Sequence, residues 1–136
     1  MISLEELNEL SAGSLPGLMG LEITGTGEGH ISSRLDLREA LLAPNGYLHA
    51  TTIVALAETS CGYGCFANLP DGVSGFTTVE LKSNFLGTKR EGAISCESTL
   101  IHGERATQVW DATVIDEEAG KKLALFRCTQ MILYPR

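Results

Sequence analysis

The feature that most constrains this chain is an almost uncharged segment in its middle. Residues 40–70 carry one formally charged side chain, that of Glu58. Residues 49–61 are rich in alanine and contain neither proline nor glycine, which favours a helix over a strand. We predict a helix over about 49–66. Because a helix that is apolar nearly all round has no face to give to water, the rest of the chain must wrap around it.

The N-terminal segment predicts a short first helix. Residues 3–6 read Ser-Leu-Glu-Glu, which has the form of a capping box, and leucines follow it at helical spacing. Gly13, Pro16 and Gly17 are expected to end that helix.

Alternating apolar and polar residues predict strands in the rest of the chain. Residues 20–37 are expected to form a hairpin, and three later strands are expected at about 93–101, 105–116 and 123–134. Consecutive pairing of these strands predicts an antiparallel meander around the helix, an α+β arrangement. In the strand directly after the helix, alternation places Thr77, Val79, Leu81, Ser83 and Phe85 on one face and Thr78, Glu80, Lys82 and Asn84 on the other.

Length and charge restrict the classes of function. The 136 residues suffice for a single domain, which we place at 1–136. The net charge of −7 argues against a nucleic-acid partner, since phosphate binding needs a concentrated basic surface. No apolar run reaches the length of about 18 residues that a membrane span requires, so we expect no membrane association.

The four cysteines are expected to be reduced thiols. No secretory signal is visible in residues 1–10, which contain three glutamates, so we expect a cytoplasmic protein. No His or Cys pair at ligand spacing accompanies the cysteines, and we expect no metal site. The cysteines are Cys61, Cys65, Cys96 and Cys128.

The start of the long helix carries a spaced motif. Gly46 and His49 form a glycine-x-x-histidine turn, and Leu56 and Glu58 follow on the helix, with the carboxylate nine residues after the histidine. This pattern resembles the hotdog-fold thioesterases, in particular the phenylacetate-degradation (PaaI-like) and 4-hydroxybenzoyl-CoA thioesterase group. The likeness extends over about residues 18–134. It implies a hotdog fold, in which an antiparallel sheet wraps around a long central helix.

The resemblance also implies an activity, the hydrolysis of acyl-CoA thioesters, in which CoA is part of the substrate and no cofactor is needed. Glu58 would act as nucleophile or general base, and the backbone N–H of Ala50 would stabilise the oxyanion beside His49. Nine helical residues separate His49 from Glu58 by about 13.5 Å. Glu58 should therefore work with His49 and Ala50 of another subunit, as in the family, which implies at least a homodimer and suggests a homotetramer.

Two positions depart from the family pattern. The family's His-Gly-Gly is His49-Ala50-Thr51 here, and alanine keeps the backbone N–H. The polar residue that the family often has six positions before the histidine is Ala43 here. Whether Asn45, two residues later, takes over its role is left open.

A second segment with family character, residues 81–92, resembles the strand pattern xxNFLRPxxxG. The resemblance implies contact of Asn84, Lys89 and Arg90 with CoA, and Arg105 is a further candidate. The alternative for Lys89 and Arg90 is a solvated basic turn.

Other interpretations remain open at this stage. Glu58 could be a structural buried glutamate, the chain could be a non-catalytic acyl-CoA-binding module, or it could be a dehydratase or hydratase acting on hydroxyacyl thioesters. Release of free thiol from acyl-CoA distinguishes hydrolysis from both binding and hydration. The acyl group, the choice between nucleophile and general base, and the stacking of a tetramer are not readable from the sequence.

Overall fold

The structure, a computed structural model, describes residues 2–136. Three helices and a short 3-10 turn precede or separate the strands: α1 (Leu4–Ser11), α2 (Leu15–Met19), the turn Glu39–Leu41 and α3 (Ala50–Ala67). The strands are β1 (Glu22–Gly27), β2 (His30–Asp36), β3 (Gly75–Phe85), β4 (Ala93–Gly103), β5 (Thr107–Asp116) and β6 (Lys122–Leu133).

The six strands form one antiparallel sheet in the order β1-β2-β4-β5-β6-β3. Helix α3 packs against five of them, β2 to β6. The prediction of an α+β hotdog arrangement is confirmed. Consecutive pairing was wrong for β3, which pairs with β6 and forms one edge of the sheet. The connection after β3 crosses the start of α3, where the Leu48 N–H donates to the Lys89 carbonyl at 3.1 Å, so that β4 begins on the far side, next to β2.

The long helix begins and ends within one residue of its predicted bounds, with His49 as its N-cap. Its inner face includes Leu56 and Cys61, both fully buried. Gly64 matters for packing, because a Cβ atom at this position would lie 2.5 Å from the buried Trp110 ring. The close approach of α3 to Trp110 therefore requires a glycine at position 64.

At the N-terminus, α1 is capped as predicted, with the Ser3 hydroxyl accepting the Glu6 N–H at 3.1 Å. Helix α1 ends at Ser11, before Gly13, as predicted, but Pro16 and Gly17 lie inside a second short helix that the sequence did not predict. Proline is compatible with the first turn of a helix, where its missing N–H would have no partner.

Strand β3 contains a β-bulge that changes which side chains face the helix. Thr78 pairs with Gln130 while Glu80 pairs with Thr129, which leaves Val79 as the extra residue. Thr78 therefore shares the inner face with Leu81, Ser83 and Phe85, and Thr77 points to the outer face. The prediction from strict alternation, which placed Thr78 opposite Leu81, was wrong, because one inserted residue reverses the parity of everything before it.

Among the helices of residues 2–136, none combines the length and the hydropathy that crossing a bilayer would require.

Candidate functional site

Glu58 lies in the middle of α3 and points toward the edge strand β3. It is half-buried, and its Oε1 atom accepts a hydrogen bond from the Thr78 hydroxyl at 2.7 Å. The same hydroxyl lies 2.8 Å from Oε1 of Gln130. Within residues 2–136 no group hydrogen-bonds to the second oxygen, Oε2. The carboxylate is thus anchored through one oxygen and open at the other.

The inner face of β3 next to Glu58 is incomplete. Leu81 is 42% exposed and Phe85 48% exposed, although both face the same side as the helix. Val79, at the bulge, is 50% exposed. Because β3 is an edge strand of 11 residues, its outer backbone groups are also unpaired. Glu58 therefore sits beside an opening that this chain alone leaves uncovered.

The first turn of α3 presents two polar groups to solvent. His49 is exposed, and its Nδ1 accepts the Thr51 N–H at 3.0 Å, so the proton of a neutral His49 ring lies on Nε2. The Ala50 N–H has no acceptor among residues 2–136. A cavity of about 230 Å³ opens next to His49, with Leu15 and Met19 of α2 among its lining residues.

One protomer does not bring the two halves of this site together. Glu58 follows Ala50 by eight residues of continuous helix, which is about 12 Å along the axis. The geometry is consistent with the sequence argument that Glu58 and the Ala50 N–H of one chain cannot act on the same thioester.

Asn45 belongs to the turn that leads into α3. Its Oδ1 accepts the Tyr47 N–H at 3.1 Å, and Gly46 beside it has the left-handed φ of 87° that this tight turn requires. The Ala43 N–H donates to the Tyr47 carbonyl at 2.7 Å and closes the same turn. The side-chain oxygen of Asn45 is thus hydrogen-bonded within its own turn, while its side-chain NH₂ group has no acceptor among the described residues.

The basic pair after β3 divides into two different environments. Lys89 forms ion pairs with Asp116 and Glu118, and its side chain is only 10% exposed. The bond to Lys89 lowers the pKa of both carboxyl groups. Arg90 instead lies over the Tyr47 ring, 4.1 Å from its centroid, beside the turn into α3. The charge of Lys89 is therefore paired within the chain, whereas Arg90 is exposed next to the start of the helix.

The two remaining candidates lie away from Glu58 within the protomer. Asn84 pairs with Leu125 on the outer face of the sheet, beside the Arg127–Asp111 ion pair. Arg105 lies in the turn between β4 and β5, with its guanidinium 4.5 Å from the Tyr134 ring centroid. Their contact with CoA remains a prediction.

Burial keeps two of the four cysteines as neutral thiols. All four are free and buried. Burial raises the pKa of Cys65 to about 12 and that of Cys96 to about 11, so both stay protonated near neutral pH. Within residues 2–136 there is no cluster of three His, Cys, Asp or Glu side chains able to hold a metal ion.

Sequence reasoning missed Thr78 and Gln130. A signal for Gln130 was present, since it occupies an inward position of β6 between Phe126 and Ile132 and is fully buried. A buried amide needs hydrogen-bond partners, and the only charged side chain of the apolar helix, Glu58, could have been predicted to lie near it. For Thr78 the alternating pattern pointed to the wrong face, as described above.

Comparison with known proteins gives consistent matches over most of the chain. The family model described as thioesterase superfamily matches residues 45–122. A 1,4-dihydroxy-2-naphthoyl-CoA hydrolase from Listeria monocytogenes is 32% identical over 112 residues, covering 82% of this chain and 89% of that protein. A hydrolase of the same name from Escherichia coli is 27% identical, covering 97% of this chain and 96% of that one. The crystal structure of a thioesterase from Haemophilus influenzae superimposes with a TM-score of 0.92 at 29% identity, covering 98% of this chain and 92% of that one.

Proposed function

This chain belongs to the thioesterase superfamily, and from that premise we propose that it hydrolyses acyl-CoA thioesters with Glu58 as the reactive carboxylate. The observation that carries the proposal is the state of Glu58, which has one oxygen held by Thr78 and the other free beside an uncovered strand edge. A structural glutamate would be expected to have both oxygens satisfied.

In the general-base path, Glu58 takes a proton from a water molecule and the resulting hydroxide attacks the thioester carbonyl carbon. The carbonyl oxygen becomes negatively charged and accepts a hydrogen bond from the Ala50 N–H. Collapse of the tetrahedral intermediate breaks the C–S bond, and the proton on Glu58 passes to the leaving sulfur. In the nucleophilic path, the free oxygen of Glu58 attacks directly, expels the thiolate and forms a mixed anhydride that water then hydrolyses.

Both paths require a second protomer, and we propose that it pairs with β3. An antiparallel partner strand would satisfy the unpaired edge and cover Leu81 and Phe85. A two-fold axis at this edge would make the two α3 helices antiparallel. The N-terminus of each helix, which carries Ala50, would then lie near the Glu58 carboxylate of the other protomer. The homotetramer implied by the family would be a pair of such dimers.

The acyl group remains to be identified, and a substrate panel tests the proposed function directly. The two dihydroxynaphthoyl-CoA hydrolases among the relatives make that thioester and benzoyl-CoA the first substrates to assay, with short- and medium-chain acyl-CoAs beside them. We expect release of free CoA thiol from at least one of them. Tight binding without thiol release would instead indicate a non-catalytic binding module.

For the CoA phosphates, the structure favours Arg90 over Lys89. We expect Arg90→Ala to raise KM for an acyl-CoA roughly tenfold, as the loss of one charge-assisted hydrogen bond implies, and to leave KM for the matching pantetheine thioester within about twofold. Steady-state kinetics on the two substrates measures this difference.

Lys89→Met is the matched control for Arg90→Ala. Because Lys89 is held by Asp116 and Glu118, its loss should lower the melting temperature near neutral pH and change neither KM by more than about twofold. Equal effects of Arg90→Ala on both substrates would contradict the phosphate assignment.

A further inference from the structure

The Thr78 hydroxyl joins Glu58 to the interior of the protein. Its oxygen lies 2.7 Å from Oε1 of Glu58 and 2.8 Å from Oε1 of Gln130. Gln130 is 0% exposed, and its Nε2 donates to the sulfur of Cys128 at 3.5 Å. A continuous line of hydrogen-bonding groups therefore runs from the carboxylate through Thr78 and Gln130 to Cys128.

Counting protons along this line fixes the direction of its hydrogen bonds. A hydroxyl has one proton, but the two short oxygen–oxygen contacts of Thr78 need two. Oε1 of Glu58 carries no proton when Glu58 is a carboxylate, and none after Oε2 has taken a proton from water. In both cases Oε1 accepts the hydrogen bond from Thr78.

The second proton must therefore come from Gln130. A half-turn of the Gln130 amide presents its NH₂ group to Thr78, which then donates to Glu58. The amide oxygen in turn faces the Cys128 thiol, which can donate to it weakly. Every contact along the line then carries one proton.

The backbone of β3 is shaped to make this contact. The bulge at Val79 turns Thr78 inward, onto the same face as Leu81, and bulges commonly re-aim side chains next to active sites. The other titratable groups near the line are Cys61 on α3, Cys128 on β6 and Glu80 on β3.

We propose that Thr78 and Gln130 are positioning residues that hold Oε1 of Glu58 throughout each turnover. The inference rests on the proposed function of Glu58. It leaves Oε2 as the oxygen that meets the water molecule or the thioester. Because Oε1 accepts from Thr78 before and after Oε2 takes a proton, Glu58 need not rotate during turnover.

The test is a set of closely matched variants at position 78. Thr78→Val keeps the shape of the side chain but removes the hydroxyl, and we expect it to lower kcat roughly 10- to 100-fold with KM changed by less than about threefold. Thr78→Ser restores the hydroxyl and should recover most of that loss. Thr77→Val, on the outer face of the same strand, should behave as wild type. Thr78→Ala carries the same expectation should the valine variant melt at a much lower temperature.

Gln130→Met tests the second link. If Gln130 acts only through Thr78, the double variant Thr78→Val with Gln130→Met should have the kcat of Thr78→Val alone, within about twofold. If the two single losses in kcat multiply in the double variant, Gln130 does not act through Thr78 and the proposal is overturned.

The proposed catalytic role of Glu58 is tested separately with Glu58→Gln. If Glu58→Gln is inactive while Thr78→Val keeps wild-type kcat, the positioning role of Thr78 is rejected and the catalytic role of Glu58 stands. The same holds if Thr78→Ser lowers kcat as much as Thr78→Val does. If Glu58→Gln itself is fully active, the proposed function fails first.

Discussion

Replacement of Glu58 by glutamine is expected to lower kcat for acyl-CoA hydrolysis by about a thousandfold or more, with little loss of stability. An amide can neither take the proton of water nor attack a thioester carbon, and general-base catalysis alone typically contributes about 10²- to 10⁴-fold. Glutamine has nearly the same size, and its carbonyl oxygen can still accept the Thr78 hydroxyl, so the fold should persist. The measurement is thiol release at saturating substrate, alongside thermal unfolding.

Glu80→Gln is the natural control for this variant. Glu80 is an exposed carboxylate on the same strand as Thr78, and it points away from the helix. It should retain wild-type turnover. Wild-type turnover in Glu58→Gln would instead remove Glu58 from the chemistry and reduce it to a packing residue.

The second large effect is expected from Ala50→Pro, which deletes one backbone N–H. Loss of an oxyanion donor typically costs about 3 kcal/mol, so we expect kcat to fall by about 10²- to 10³-fold. The fold should tolerate the change, because Ala50 is the first residue of α3, where proline is well accommodated. His49 before it is already extended, at φ −69° and ψ 130°, as a residue preceding proline must be. Ala50→Gly, which keeps the N–H, should stay within severalfold of wild type.

Mixing the two inactive variants tests whether the site is shared between chains. In a mixed dimer of Glu58→Gln and Ala50→Pro, one of the two sites combines an intact Glu58 with an intact Ala50 from the other chain. Random reassembly from equal amounts should restore about a quarter of wild-type activity. A mixture that stays inactive after verified subunit exchange would show that Glu58 does not use the other chain's N–H.

The long helix and its single carboxylate could be predicted from the sequence because both follow from local composition. Residues 49–61 are rich in alanine and lack proline and glycine, and the lack of other charges marks Glu58 as exceptional. The helix bounds, the first hairpin and the capped first helix are confirmed for the same reason, since each depends on neighbours a few residues apart.

What the sequence could not predict depends on contacts between distant segments. The pairing of β3 with β6 follows from how the chain crosses the start of α3, and the bulge at Val79 leaves no mark in the alternation of side chains. Lys89 looked like a free cation only because Asp116 and Glu118, its partners, lie more than twenty residues away along the chain.

Glu58 is the ninth residue of an 18-residue helix, so its carboxylate lies at the centre of the longest helix among residues 2–136. The surroundings of His49 are built differently, from the five-residue α2 with its exposed Leu15, and from the 3-10 turn Glu39–Leu41. Amino-acid replacements in these short pieces can enlarge, narrow or polarise the space offered to a ring or an alkyl chain while leaving the acid where it is. Under the proposed function, acyl-group selectivity can therefore change through these segments while the position of Glu58 stays the same.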